Sequence, residues 1–365
     1  MKIGIFLTLI LSTVLLTVIL SSCSVEDFNT IVGAIEFEEI EIEQNQINSI
    51  VKDNGDISAY FCPDDNCENA VLEFLDSAEK SIHCALYELD YESINEKIME
   101  LDEQGLDVKI IVDNNYIDDF YEFTEETNLS YVKTDGWGQM HNKFCIIDNE
   151  RIFTGSMNPS TNGITKNNNN LLIINSEMLS ANYENEFEEM WDGTFKKGDP
   201  TLNEQIILNQ DTDNEILVVN YFCPEDNCAE HIKEIISQAQ KSIHFMTFSF
   251  THDEISNSIL LKTLEGVEVK GIFESRQVSS YSEYQVMEYQ TNVTVYKDAN
   301  SNNMHHKVFI IDESIVITGS MNPSANGDES NDENVLIMHN EEIAQWYEEE
   351  FEKLFTLAKE NSDYE

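Results

Sequence analysis

Positive charge is scarce in this chain. Its 365 residues hold 20 lysines and arginines against 70 aspartates and glutamates, giving a net charge of -50 and a pI near 4.1. A field of that sign repels nucleic acids and anionic surfaces unless salt screens it, so an anionic ligand must be caught by a local cluster of cations. The simplest reading of the acidity is a solvated surface that keeps the protein soluble, not a recognition device. No Gly-x-Ser-x-Gly turn occurs either, which removes the usual setting of a serine nucleophile. Apolar residues are not short: at 41% they suffice for packed cores and exclude a disordered body.

The chain starts with Lys2 and an apolar run, Ile3 to Leu20, followed by Ser21, Ser22 and Cys23. This reads as an export signal over residues 1–23 and not as part of the fold. Leu20-Ser21-Ser22-Cys23 resembles a lipoprotein cleavage box, which implies that Cys23 becomes the lipidated first residue of an exported protein anchored to the cell membrane. The alternative is an uncleaved anchor helix, since the run is just long enough to span a bilayer. Both readings place the body outside the cytoplasm. Residues 24–57, rich in Glu, Asp and Asn, are expected to form a tether that adds at most an edge strand.

Seven cysteines are present. Outside the cytoplasm, Cys62 with Cys67 and Cys223 with Cys228 are expected as two short-loop disulfides; one four-thiolate zinc site is the competing arrangement. Cys84 and Cys145, in apolar strand patterns, are expected as buried free thiols.

The body is a duplication. Tyr60-Phe61-Cys62-Pro63 returns as Tyr221-Phe222-Cys223-Pro224, and Lys80-Ser81-Ile82-His83 as Lys241-Ser242-Ile243-His244, both at an offset of 161 residues. Farther on the offset grows to 164, so a loop of the second copy has gained residues. The period is too long for a solenoid. Within each copy, helical and strand patterns alternate and then give way to closely spaced strands, which predicts an α/β fold of two copies, each a mixed sheet flanked by helices. The expected divisions are 58–195 and 215–358 for the two copies, a polar connector at 196–214 and a tail at 359–365.

The chemistry lies in a repeated pattern: His141, Lys143, Asp148, Gly155, Ser156, Asn158, and again His305, Lys307, Asp312, Gly319, Ser320, Asn322. A single His-x-Lys on a strand is usually a structural pair, as expected for His83 and His244, and His306 and His339 are given no role. Duplication changes the reading, because two histidines with paired lysines and amides are what cleavage of a phosphodiester requires. On a strand, residues i and i+2 face the same way, so each histidine and its lysine share a face. Asp148 and Asp312, counted with the catalytic motif, have the opposite parity and fall in a turn that they are expected to brace. A metal site built from the histidines and these aspartates is disfavoured by the neighbouring lysines.

These residues resemble the phospholipase D superfamily, whose signature is this His-x-Lys-x4-Asp followed by Gly-Ser-x-Asn. The resemblance implies a pseudo-twofold molecule with both motifs at one site, a phosphohistidine intermediate, and neither cofactor nor metal; a monomer is expected. By position, His141 and His305 become nucleophile and general acid; Lys143, Lys307, Asn158 and Asn322 hold phosphoryl oxygens, assisted by Ser156 and Ser320. The histidine-orienting positions are Glu333 in the second copy and Asn169 in the first. Assigning each to the histidine of its own copy, we expect Glu333 to keep His305 protonated as the acid and Asn169 to leave His141 neutral as the nucleophile. Substrate class stays open at this level: a phospholipid head-group ester is preferred for a membrane-anchored catalyst, with extracytoplasmic endonuclease second and phosphatidyl-transferring synthase as a further alternative. A binding module without activity fits least, because every motif position is intact twice. Specificity is expected in the loops Asn114 to Asn128 and Glu274 to Gln290.

Overall fold

The computed structural model describes residues 50–122, 129–135 and 139–362. The expected export signal, Cys23, most of the tether, part of the 114–128 loop and the last three residues lie outside the described residues. Among the described residues no helix is long and apolar enough to cross a membrane.

The first copy runs β1 (Val51–Asp53), β2 (Asp56–Cys62), α1 (Cys67–Asp76), β3 (Ser81–Leu86), α2 (Glu92–Glu103), β4 (Asp107–Val112), α3 (Ile117–Tyr121), β5 (Val132–Thr134), β6 (Lys143–Ile147), β7 (Arg151–Gly155), α4 (Thr161–Thr165), β8 (Asn169–Asn175) and α5 (Glu177–Trp191). After β9 (Gln205–Leu208), the second copy repeats the order. It comprises β10 (Ile216–Cys223), α6 (Cys228–Ser237), β11 (Ser242–Thr247), α7 (Asp253–Leu264), β12 (Glu268–Phe273), α8 (Tyr284–Met287), β13 (Val293–Lys297), β14 (Lys307–Ile311), β15 (Ile315–Gly319), α9 (Ala325–Glu329), β16 (Glu333–His339) and α10 (Glu341–Ser362).

Each copy is built on a mixed sheet. The first has the order β2-β8-β7-β6-β3-β4-β5, with β3, β4 and β5 parallel and the rest antiparallel. The second has the order β1-β9-β10-β16-β15-β14-β11-β12-β13. The segment expected as a polar connector thus contributes β9, and the end of the tether contributes β1, which pairs with β9 in the sheet of the other copy. Ladder hydrogen bonds satisfy these backbones, and Ile206 and Leu208 of β9 are buried.

The motif strands are apolar on both faces because both faces are covered. Phe144 and Ile146 of β6 and Val308 and Ile310 of β14 point into a central core shared by the two copies, where α5 and α10 add Tyr183, Phe187, Tyr347 and Phe351. The alternate residues Cys145 and Ile147 pack under α1 and α2, and Phe309 and Ile311 under α6 and α7. One continuous apolar core therefore fixes the copies against each other.

Polar groups add a reciprocal latch. Asn170 Oδ1 accepts from Thr318 Oγ1 (3.0 Å) and Tyr347 Oη (3.2 Å) of the second copy. Asn334 Oδ1 accepts from Thr154 Oγ1 (3.0 Å) and Tyr183 Oη (3.3 Å) of the first. All six side chains are buried, so each bond lost would strand a polar group away from water.

Cys62 is bonded to Cys67 and Cys223 to Cys228. The expectation of free thiols at Cys84 and Cys145 is corrected: the two face each other across the antiparallel β3 and β6 and form a third disulfide.

Candidate active site

The two motifs meet where the sheets abut. His141 N–H donates to the carbonyl of Asp332 (3.0 Å), and Asp332 N–H to that of Gln139 (3.2 Å). Across the pseudo-dyad, His305 N–H donates to the carbonyl of Asn168 (2.8 Å), and Asn168 N–H to that of Asn303 (2.9 Å). Each histidine thus enters its strand already bridged to the other copy. The residues following those carbonyls are Glu333 and Asn169, which begin β16 and β8.

This crossing overturns the expected pairing. Glu333 Oε2 accepts from Nδ1 of His141 at 2.8 Å, and Asn169 Oδ1 accepts from Nδ1 of His305 at 2.9 Å. The carboxylate therefore serves the histidine of the opposite copy, and the reason given for a protonated His305 falls. Ser320 Oγ donates to Glu333 (2.6 Å) and Asn331 Nδ2 to its other oxygen (3.1 Å), while Ser156 Oγ donates to Asn169 (3.1 Å). The motif serines hold the groups behind the rings. Gly155 and Gly319 allow this close approach: both have left-handed φ (131° and 137°), and a Cβ there would collide with the carbonyls of Asn170 and Asn334.

Lys143 and Lys307 are buried, each amine donating to the carbonyl of its own histidine, at 2.6 and 2.9 Å. Burial pushes Lys143 down to about 7 and Lys307 well below the usual lysine range. Burial and the two neighbouring cations hold both imidazoles well below the ordinary histidine value, which favours their neutral form near neutral pH. Burial raises Glu333 to about 7, against the pull of Lys143. Five ionisable groups thus share the pocket, and a phosphoryl group placed between the lysines would raise both lysines back towards their ordinary range.

Of the other motif residues, Asn158 lies buried after β7 and donates Nδ2 to Glu88 (3.2 Å), and Asn322 occupies the equivalent, half-buried position after β15. Asp148 and Asp312 are not in the pocket. Both sit in the hairpin turns with left-handed φ, where Asp148 accepts from the N–H groups of Glu79, Lys80 and Ser81 (2.7–2.9 Å) and Asp312 from those of Gln240, Lys241 and Ser242 (2.6–3.0 Å). Burial alone would raise these carboxylates; the three donors hold them low. Their place in the catalytic set is withdrawn, and the bracing role is what the geometry shows.

His83 and His244 are structural: each donates from Nδ1 to a glutamate of the covering helix, Glu184 (2.6 Å) or Glu348 (2.8 Å), and stacks on Phe187 or Phe351. His83, Glu184 and Glu188 converge closely enough to suggest a cation site, but the Lys109 amine already holds Glu188 at 2.7 Å. Residues missed from the sequence are Tyr87 and Phe248, whose rings meet His141 and His305 edge to face at 4.7 and 4.6 Å, and Glu88. The same 161-residue offset that relates Lys80-Ser81-Ile82-His83 to its copy also relates Tyr87 to Phe248 and Glu88 to Ser249, and would have marked these positions.

Residues 71–191 and 232–355 match the family model described as cardiolipin synthase, PLD-like domain. The chain belongs to this phospholipase D-like domain family. Among curated relatives, the phospholipase D-like segment is 27% identical over 125 residues to a mitochondrial cardiolipin hydrolase of Chlamydomonas reinhardtii, covering 33% of this chain and 56% of the relative. It is 28% identical over 161 residues to a phospholipase D of Rickettsia prowazekii, covering 43% and 78%. The chain thus spans little more than half of the first of these. A solved phosphatidylserine synthase of Haemophilus influenzae shares the phospholipase D-like fold over 80% of this chain and 85% of its own, with a TM-score of 0.60 at 14% identity.

Proposed function

We propose that this protein is a phosphodiesterase that hydrolyses the head-group ester of a phospholipid through a phosphohistidine on His141. The observation that carries the reading is the crossed pairing of two buried imidazoles, one backed by a carboxylate and one by an amide, between two buried lysines. With Nδ1–H held by Glu333, His141 presents an Nε2 lone pair. Attack on phosphorus makes the ring cationic, and Glu333 offsets that charge. Lys143 and Lys307, with Asn158 and Asn322, hold the phosphoryl oxygens. Their cations are offset by the bound anion, which lets His305 take up the proton it passes from Nε2 to the departing head-group oxygen as the P–O bond breaks. Water then attacks the same phosphorus, His305 takes the water proton, and the P–N bond to His141 breaks.

Anchorage through Cys23 on the outer face of the membrane would hold the catalyst beside its substrate, and is part of the proposal. The net charge of -50 favours a lipid phosphodiester over a nucleic acid polyanion. We expect protein starting at Ser24 to release head group from phospholipid vesicles and to leave duplex and single-stranded DNA intact at several salt concentrations. DNA nicking without head-group release would replace this reading with an endonuclease, and head-group exchange with added alcohol in place of hydrolysis would replace it with a transferase. Because two lysines occupy the places a cation would need, excess chelator is expected to leave the rate unchanged; its loss on chelation would contradict the metal-free scheme.

A pH dependence follows from the pocket. Glu333 must be ionised to stabilise the phosphohistidine, and its raised value of about 7 means that activity is lost as pH falls through neutrality. Lys143 must be protonated to hold the anion, and its lowered value of about 7 means that kcat/KM is lost as pH rises through the same region. We expect a narrow bell in kcat/KM centred near pH 7, and loss of its acid limb in Glu333→Gln. An acid limb that persists in that variant assigns the limb to another group.

A further inference from the structure

The two copies diverge at one wall of the pocket. Immediately after β3 the first copy carries Tyr87-Glu88-Leu89-Asp90; the second, after β11, carries Phe248-Ser249-Phe250-Thr251. The acidic groups stand on one side only. Glu88 is half-buried, with Oε2 accepting from Asn158 Nδ2 (3.2 Å) and Ser160 Oγ (3.0 Å), and it forms no ion pair among the described residues. Its cationic neighbour, Lys143, donates to the His141 carbonyl, lies over the Tyr87 ring at 5.1 Å and offsets only part of the cost of the Glu88 charge. Beside it stand two aromatic rings, Tyr87 and Tyr116, edge to face at 4.7 Å, with Gln139 Nε2 donating to the Tyr87 hydroxyl (3.1 Å). The second copy has Gln277 where the first has Tyr116.

A carboxylate in reach of a phosphate-holding amide is a poor feature for a site that takes any phosphodiester. It repels the substrate phosphate and competes for Asn158, a cost that desolvation and the nearby Asp90 increase, as shown by the upward displacement of its titration. The cost is recovered if the substrate brings its own cation. We propose that Glu88, with the Tyr116 ring, is the specificity-determining group of this site and reads an ammonium on the alcohol that leaves phosphorus. The inference rests on the phospholipase reading and names its substrate class: zwitterionic phospholipids, in preference to lipids whose head group is uncharged or carries a further phosphate. A two-carbon ammonium alcohol folds back over its own phosphate in the gauche form, which places the cation beside the plane of the phosphoryl oxygens, where Asn158 stands. Carboxylate and ring faces together are the usual receptor for such a cation.

The test is competition. Phosphatidylcholine and phosphatidylglycerol are mixed in one vesicle, so that surface charge and protein binding are common to both, and the two released alcohols are counted. The ratio of the two kcat/KM values does not depend on how much enzyme is folded. We expect wild type to favour choline release and the ratio to fall about tenfold or more in Glu88→Gln and in Glu88→Ser, the residue the second copy carries. A ratio that stays at the wild-type value or rises in both variants overturns the role of Glu88 while leaving the phospholipase reading standing. Wild-type protein that releases neither alcohol overturns both.

Discussion

His141→Ala should reduce turnover of a phospholipid by on the order of 10⁴-fold or more, because it removes the nucleophile and with it the covalent route, leaving only the binding of phosphoryl oxygens by the lysines and amides. Folding should survive, since His141 contributes its backbone N–H, not its ring, to the bridge with Asp332. The ring does leave Glu333 without its imidazole, but Ser320 and Asn331 continue to bind that carboxylate. Steady-state rates together with an unchanged thermal midpoint test this directly. A variant that keeps a tenth of the wild-type rate would mean that water, and not His141, attacks phosphorus.

His305→Ala should have an effect that depends on the leaving group. For an alkyl head group, whose oxygen departs poorly without a proton, the loss is expected at about 10²- to 10⁴-fold. For an aryl diester such as bis(p-nitrophenyl) phosphate, whose phenolate leaves unaided, formation of the phosphoenzyme should be nearly normal and its hydrolysis slow, so that a burst of one nitrophenol per site appears. The physical reason is the pairing found here: an amide oxygen on Nδ1 accepts the same hydrogen bond whether the ring is neutral or cationic, so Asn169 lets His305 cycle between acid and base. Equal losses on alkyl and aryl substrates would remove the acid role from His305 and assign it to a group that acts before bond cleavage.

The sequence carried the repeat, and through it most of the fold and the site. The alternation of helices and strands, and the closely spaced β6, β7 and β8 that follow it, stand as apolar patterning predicts, since these strands are short runs buried on both faces. The pairing within the site was not legible. Aligning one copy on the other places Glu333 opposite Asn169 and invites each to its own histidine, whereas the dyad carries the start of β16 to the histidine of the first copy. The disulfide of Cys84 and Cys145 was missed for a related reason: the two are 61 residues apart and become neighbours only through the antiparallel register of β3 and β6. Polar composition made 196–214 look like a connector, although Gln205–Leu208 holds enough apolar side chain to join a sheet edge. Glu88 gave no motif signal. Only comparison of the two walls of one duplicated pocket brings it out.

The same comparison accounts for the different roles proposed for two identical motifs. The copies supply matching lysines, serines and asparagines, and differ in what stands behind each ring and on each wall. A carboxylate behind His141 suits a ring that becomes permanently cationic while it carries phosphorus. An amide behind His305 suits a ring that gains and loses a proton in each cycle.

The decisive measurement is alkaline trapping of the intermediate. Phosphorus-labelled substrate is mixed with enzyme, quenched under alkaline denaturing conditions that preserve phosphohistidine, and the labelled peptide is sequenced. The label is expected on His141, absent from His141→Ala, and accumulated in His305→Ala. Label on His305, or an active wild-type enzyme from which none can be trapped while His305→Ala also shows no burst, would contradict attack by His141.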